Sequence, residues 1–242
     1  MLTLAQIYDK YKTPLGTDYG DEGTQHSYVP IYEELFAPWR EKACALVEIG
    51  VAHGHSMAMW REYFTKATLW GVDVDFSRID VDLTKGCNLV QADATSLDVL
   101  RFMPQTIDVI IDDGSHWVED QVKAFILLAH RLDAGGLYII EDVNDPSGLI
   151  SRLMLDAFAW PYTLYDFRDT TRRQDDVMLV IKKKQSQKIE TPDILRCSNC
   201  RQDVIIGNVG AFRRHAALLA NSSRFYVCQD CSGIHGGYVA KR

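Results

Sequence analysis

The sequence predicts an α/β chain in which a doubly wound, mostly parallel sheet is followed by a small cysteine-bearing module. Three observations lead there. Short apolar runs alternate with helical patterns between Ala45 and Glu141, and such alternation folds as parallel strands joined by crossover helices. The charge changes sign along the chain: residues 1–181 hold 15 Lys and Arg against 29 Asp and Glu, whereas residues 182–242 hold 11 against 4. The basic part also holds two C-x-x-C pairs. With 242 residues, 47% of them hydrophobic and 24% charged, the chain can bury a sizeable core, which excludes disordered and fibrous classes. No stretch approaches the ~18–20 consecutive apolar residues of a membrane span. The opening MLTLAQIYDKYKTP lacks a basic region followed by an apolar run, so the expected compartment is the reducing cytoplasm, with no membrane partner.

Taken in order, residues 1–44 mix Gly, Asp, Thr and Tyr before a helical pattern around Val29 to Phe36, and are expected as an arm or lid rather than core. ALVEIG then reads as a strand, and SMAMWREYF as a helix with Met57, Trp60 and Phe64 on one face. TLWGVDVD, NLVQAD and DVIIDDG are the next three strands, the last apolar enough to be covered on both faces. A helix follows with Val118, Val122, Phe125, Ile126 and Ala129 inward and a stop at Gly135 and Gly136, before LYIIED as the fifth strand. A helix is expected from Leu149 to Phe158, and YTLYDF and DVMLVIKK form an antiparallel hairpin at the sheet edge. The polar run KKKQSQKIETPD at 182–193 marks the boundary, giving a core of 45–184, a linker of 185–194 and a second domain of 195–242.

Between the first strand and its helix lies Glu48-Ile49-Gly50-Val51-Ala52-His53-Gly54-His55-Ser56. Glycines there let the backbone turn tightly and approach a ligand, so the loop is by position a nucleotide-cofactor loop with Glu48, Gly50, Gly54 and Ser56 as candidates. The G-x-x-x-G spacing is neither a dinucleotide fingerprint nor a phosphate loop. Asp73 ends the next strand 19 residues after Gly54, where a carboxylate can accept from both ribose hydroxyls, and Asp93 ends the third strand near where an adenine amino group would lie. His53 and His55 read as ordinary loop side chains.

Asp112 and Asp113 end strand four, and Glu141 and Asp142 end strand five, so adjacent parallel strands bring both pairs to one carboxyl edge beside the cofactor crevice. Four like charges in a small cleft repel, so some protonate or a divalent cation sits among them; oxygen donors suit Mg²⁺. Because neighbours in a strand point to opposite faces, three of the four are expected as ligands, leaving Asp112 on the cofactor side. His116, three residues after Asp113 in Asp-Gly-Ser-His, is placed to act as a base, and Trp117 as packing or a wall of the acceptor cleft.

The patterns E-x-G-x-x-x-G, G-V-D and Q-A-D resemble the class I S-adenosylmethionine methyltransferases in motif order. More closely, GTDYGDEGTQHSYVPIYEELF, LVEIGVAHGHSMAMW, WGVDVD, VIIDDGSHWVEDQ and GGLYIIEDV resemble the metal-dependent sugar O-methyltransferases of the mycinamicin type, over roughly residues 8–181. The resemblance implies S-adenosylmethionine bound through Glu48 to Ser56 and Asp73, and Mg²⁺ held by Asp113, Glu141 and Asp142. It also implies His116 as catalytic base and an arm, Asp18 to Tyr32, bordering the cofactor and acceptor sites. Two departures bear on the acceptor: Asp120 stands where a second His often lies, and Asn144-Asp145-Pro146-Ser147 replaces a Thr-Ser-Tyr type of segment. The expected reaction is methyl transfer to a hydroxyl of a sugar-like or diol-bearing small molecule. Cephalosporin hydroxylase-like proteins are also similar, which leaves a non-methylating or purely cofactor-binding role as an alternative.

Cys197-Ser-Asn-Cys200 and Cys228-Gln-Asp-Cys231 are two knuckles 27 residues apart, a spacing that predicts one structural Zn²⁺ held by four thiolates. Cys44 and Cys87 read as small buried residues. The helical VGAFRRHAALLAN between the knuckles is basic, which admits phosphate binding, and with it a nucleic-acid methyltransferase, as readily as a dimer contact or a solvated face.

Overall fold

The computed structural model describes residues 1–11, 28–153, 160–171 and 173–184, together with the backbone of four short strands beyond them. Seven strands form one sheet: β1 (Cys44–Ile49), β2 (Ala67–Asp73), β3 (Asn88–Gln91), β4 (Ile107–Asp112), β5 (Leu132–Ile140), β6 (Tyr162–Asp166) and β7 (Val177–Lys182). Their order is β3-β2-β1-β4-β5-β7-β6, parallel from β3 to β5, with β7 antiparallel to both of its neighbours. The β6–β7 hairpin therefore lies at the edge as expected, with β7 slotted inside β6.

Alternation of side chains gives each central strand two apolar faces. Val47, Ile110, Tyr138 and Ile140 point into one core with helices α4 (Val118–Leu128) and α5 (Pro146–Leu153). Leu46, Val109, Ile111 and Ile139 point into the other, against α1 (Leu4–Tyr11), α2 (Val29–Phe36) and α3 (His55–Tyr63). Strands covered on both sides read as continuous apolar runs, which is how they appear in the sequence. A four-residue helix, α6 (Arg168–Thr171), lies between β6 and β7.

The N-terminal segment differs from the expectation of an arm outside the core. Leu4, Ile7, Tyr28, Tyr32 and Phe36 are buried, because α3 alone cannot cover its face of the sheet and α1 and α2 complete the layer. The inward face of α4 is largely the expected one, with Phe125 and Ala129 in the core and Val118 and Val122 packed against it, but Ile126 is exposed and Gln121, Ala124, Leu127 and Leu128 are buried in its place. That helix ends at Leu128, well before Gly135 and Gly136, which lie inside β5. A Cβ at Gly136 would sit 2.7 Å from the Asp108 carbonyl oxygen, so close strand approach, not helix termination, requires that glycine. Helix α5 starts at Pro146, with the Asp145 carboxylate accepting from the Gly148 amide at 2.9 Å, and residues 154–158 of the expected helix lie outside the described residues. Cys44 is buried and Cys87 partly so.

Strands β8 (Asp193–Arg196), β9 (Asp203–Ile206), β10 (Phe225–Val227) and β11 (Ile234–Gly236) form a second, antiparallel sheet in the order β11-β10-β9-β8. Along the chain Cys197 and Cys200 fall between β8 and β9, and Cys228 and Cys231 between β10 and β11; all four lie outside the described residues. Among the described residues no helix is long and apolar enough to cross a membrane.

Candidate active site

Strands β1, β2, β4 and β5 deliver their carboxyl ends to one edge of the sheet, and the loop after β1 shapes that edge. Gly50 has φ +88°, its amide donates to the Val72 carbonyl at 2.8 Å, and a Cβ on it would meet the Asp113 carbonyl oxygen at 1.9 Å. Only glycine fits both the backbone angle and that approach. Gly54, at φ +93°, is confined the same way by Thr84. Asp73 Oδ2 accepts from the Val51 and Ala52 amides at 2.8 and 2.9 Å, so the expected ribose acid also holds the loop in shape. Glu48 is fully buried beneath the loop, accepting from Ser56 Oγ at 3.0 Å and Trp60 Nε1 at 3.2 Å. Burial, then the charge of Asp113, pushes its carboxyl up to about 8. Asp93 is exposed at the mouth, where its Oδ1 accepts from the Thr95 amide at 2.8 Å. His55, expected as a loop side chain, instead opens α3, and its Nδ1 lies 3.0 Å from the Tyr11 carbonyl oxygen at the end of α1.

The second half of the edge gathers acids around His116. Its Nε2 lies 3.1 Å from Asp113 Oδ1 and its Nδ1 3.8 Å from Asp142 Oδ2. One potential ligand atom from each of Asp113, His116 and Asp142 lies within 4.8 Å of the others. His116 and Asp142 reach these positions with φ of +60° and +50°, left-handed conformations that non-glycine residues hold only when their surroundings impose them. Burial disfavours the imidazolium, but the hydrogen bond and charge of Asp113, with Asp142 and Asp112 behind, outweigh it and push His116 up to about 9.

Glu141 stands outside this tight trio. It is buried, its Oε1 accepts from the Tyr32 phenol, and Gln121 Nε2 donates to its backbone carbonyl at 3.1 Å. Burial and the charges of Asp113, Asp142 and Glu48 hold its carboxyl well above the usual carboxylate range. Asp112 turns inward, accepting from Tyr138 Oη at 3.3 Å, and burial pushes its carboxyl up to about 7. Trp117, next to His116 in the chain, is 71% exposed and so is not a packing residue of the core. Two of the three converging groups, Asp113 and Asp142, are carboxylates, the donor type that suits Mg²⁺, so the side chains present fit that ion.

Sequence reasoning did not single out Tyr28, Tyr32, Gln121 or Tyr138. The sequence signals were the i, i+4 spacing of Tyr28 and Tyr32 in a helical pattern, and the resemblance that puts the arm Asp18 to Tyr32 beside the site; neither says which groups the two rings meet, and residues 18–27 of that arm lie outside the described residues.

Comparison with known proteins bears on the fold and the family. Residues 47–143 match the family model described as "Methyltransferase domain". The chain is 41% identical over 127 residues to the 8-demethyl-8-alpha-L-rhamnosyl tetracenomycin-C 2'-O-methyltransferase of Streptomyces olivaceus, covering 49% of this chain and 34% of that protein. It is 30% identical over 148 residues to the mycinamicin VI 2''-O-methyltransferase of Micromonospora griseorubida, covering 58% and 36%. The matched part thus spans about a third of the length of these curated relatives. A solved structure of the MycE methyltransferase of the mycinamycin biosynthetic pathway, in complex with Mg, SAH and mycinamycin VI, superposes with a TM-score of 0.60. It covers 77% of this chain and 56% of that one at 22% identity, a likeness of fold. The chain carries a class I S-adenosylmethionine-dependent methyltransferase domain that resembles the mycinamicin-type sugar O-methyltransferases.

Proposed function

We propose that the chain transfers a methyl group from S-adenosylmethionine to a hydroxyl of a sugar-like or diol-bearing small molecule, in a site that holds Mg²⁺ through Asp113, Glu141 and Asp142. The observation that carries this reading is the convergence of Asp113, His116 and Asp142 within 4.8 Å, against a glycine loop whose backbone touches Asp113. The names of the relatives, all sugar-directed or macrolide-directed O-methyltransferases, support the acceptor class.

Asp73 and the loop from Glu48 to Ser56 bind the cofactor, with Asp93 toward its adenine, while Asp112, turned inward to Tyr138, backs the site from the sheet. Asp113, Glu141 and Asp142 would hold Mg²⁺, whose charge would compensate the acids and polarise hydroxyl oxygens of the acceptor. With the charge of the acids compensated by a cation, His116 would be neutral, Nε2–H donating to Asp113 and Nδ1 left to accept the hydroxyl proton. Trp117 offers a flat apolar face to the acceptor. The methyl group passes in line from sulfur to oxygen, with no covalent bond to the protein.

Purified protein is incubated with labelled methyl donor and a panel of glycosides, nucleotides and nucleic acids, with and without chelator, and products are read by mass spectrometry. A methylated glycoside whose formation stops in chelator, while cofactor affinity persists, is the expected result. Full activity in chelator overturns the metal, and labelled nucleic acid with no labelled glycoside favours the second reading. That reading rests on the excess of 11 basic over 4 acidic residues in 182–242, which would guide a nucleic-acid acceptor.

A further inference from the structure

We propose that Tyr28 and Tyr32 are positioning residues of the candidate metal site, each phenol holding one oxygen of an acidic side chain so that the remaining oxygens face the cation and His116. Helix α2 begins just after Tyr28, with Pro30 in its first turn, and Tyr32 lies one turn further on the same face. Both side chains are fully buried. Tyr28 Oη donates to Asp142 Oδ1 at 3.0 Å, and Tyr32 Oη donates to Glu141 Oε1. One helical repeat is thereby matched to two consecutive residues at the end of β5.

The rings are fixed independently of these bonds. Tyr32 packs against Phe36 and Trp60 with ring centroids 4.9 and 5.1 Å away, and Tyr28 lies 6.3 Å from Phe167. Their hydroxyls therefore arrive at set positions, and the carboxylates must turn to meet them. Tyr28 holds Oδ1 of Asp142, and Oδ2 lies 3.8 Å from His116 Nδ1. Partners of this kind around a metal ligand fix its orientation, and losing one weakens metal binding by about 10- to 100-fold.

The inference rests on the metal reading above, and the test separates the two. Mn²⁺ is titrated into the full chain, without acceptor, for the wild type, Tyr28→Phe, Tyr32→Phe and Phe36→Leu, alongside S-adenosylmethionine affinity and thermal melting. Each Tyr→Phe variant is expected to bind Mn²⁺ at least about 10-fold more weakly, with cofactor affinity within about twofold. Phe36→Leu, which disturbs the same packing without touching a carboxylate, should lower the melting temperature and leave Mn²⁺ affinity unchanged. Wild-type protein that binds no Mn²⁺ overturns the metal reading and this inference with it. Wild-type binding matched within twofold by both folded Tyr→Phe variants overturns the inference alone, even where those variants melt earlier. Should one variant fail to fold, the other decides by the same criterion.

Discussion

Gly50 and Asp113 touch across the carboxyl edge of the sheet: a side chain on the first would start 1.9 Å from the carbonyl oxygen of the second. The loop of the cofactor half and the strand end of the acid half are thus one packed unit. Gly50→Ala should cost about 2–4 kcal/mol, from the left-handed backbone and the forced separation together. Urea denaturation measures it, and a loss under about 0.5 kcal/mol would contradict the contact.

Asp73 is expected to serve twice, accepting from the Val51 and Ala52 amides and binding ribose. Asp73→Ala should weaken S-adenosylmethionine binding by about 1.5–3 kcal/mol, the worth of hydrogen bonds to a charged group. Asp73→Asn, which keeps an acceptor for the loop, should lose less. Calorimetry showing unchanged affinity in both would remove Asp73 from the cofactor site.

His116 sits in the same tight group as two candidate ligands, so base and ligand roles need separating. As the base, His116→Ala should lower turnover by about 10²–10⁴ while Mn²⁺ affinity changes little. Collapse of metal binding in that variant would make the imidazole a ligand instead.

His130 lies at the amino end of β5, the edge opposite the site, where burial, with Arg131 and Lys183 nearby, lowers it to about 4 from 6.5. Between these values the unfolded chain binds more protons than the folded one, so this contribution is complete above about pH 6.5 and is lost as pH falls toward 4. His130→Asn should flatten the stability profile across that window. An unchanged slope in denaturation from pH 4 to 6.5 would refute it.

Cys197, Cys200, Cys228 and Cys231, flanked along the chain by the strands of two hairpins, should hold about one equivalent of Zn²⁺. Cys231→Ser should lose the metal and expose residues 185–242 to protease. Elemental analysis finding no zinc under reducing conditions would exclude it.

By itself the sequence determined the alternating strands of β1 to β5, the hairpin of β6 and β7, and the carboxylates at the strand ends. These follow from local periodicity and from chain order, since a right-handed crossover places successive strand ends on one edge. It also put His116 beside Asp113, because three residues in a tight turn cannot separate them far. Tertiary structure alone decided that α1 and α2 belong to the core, since covering the second face of the sheet is a demand of the whole fold and leaves little trace in eight residues. It likewise decided that Glu141 turns to Tyr32 while Asp142 faces His116. Neighbours in sequence share an address at a strand end, but which way each carboxylate points depends on donors 109 and 114 positions away in the chain.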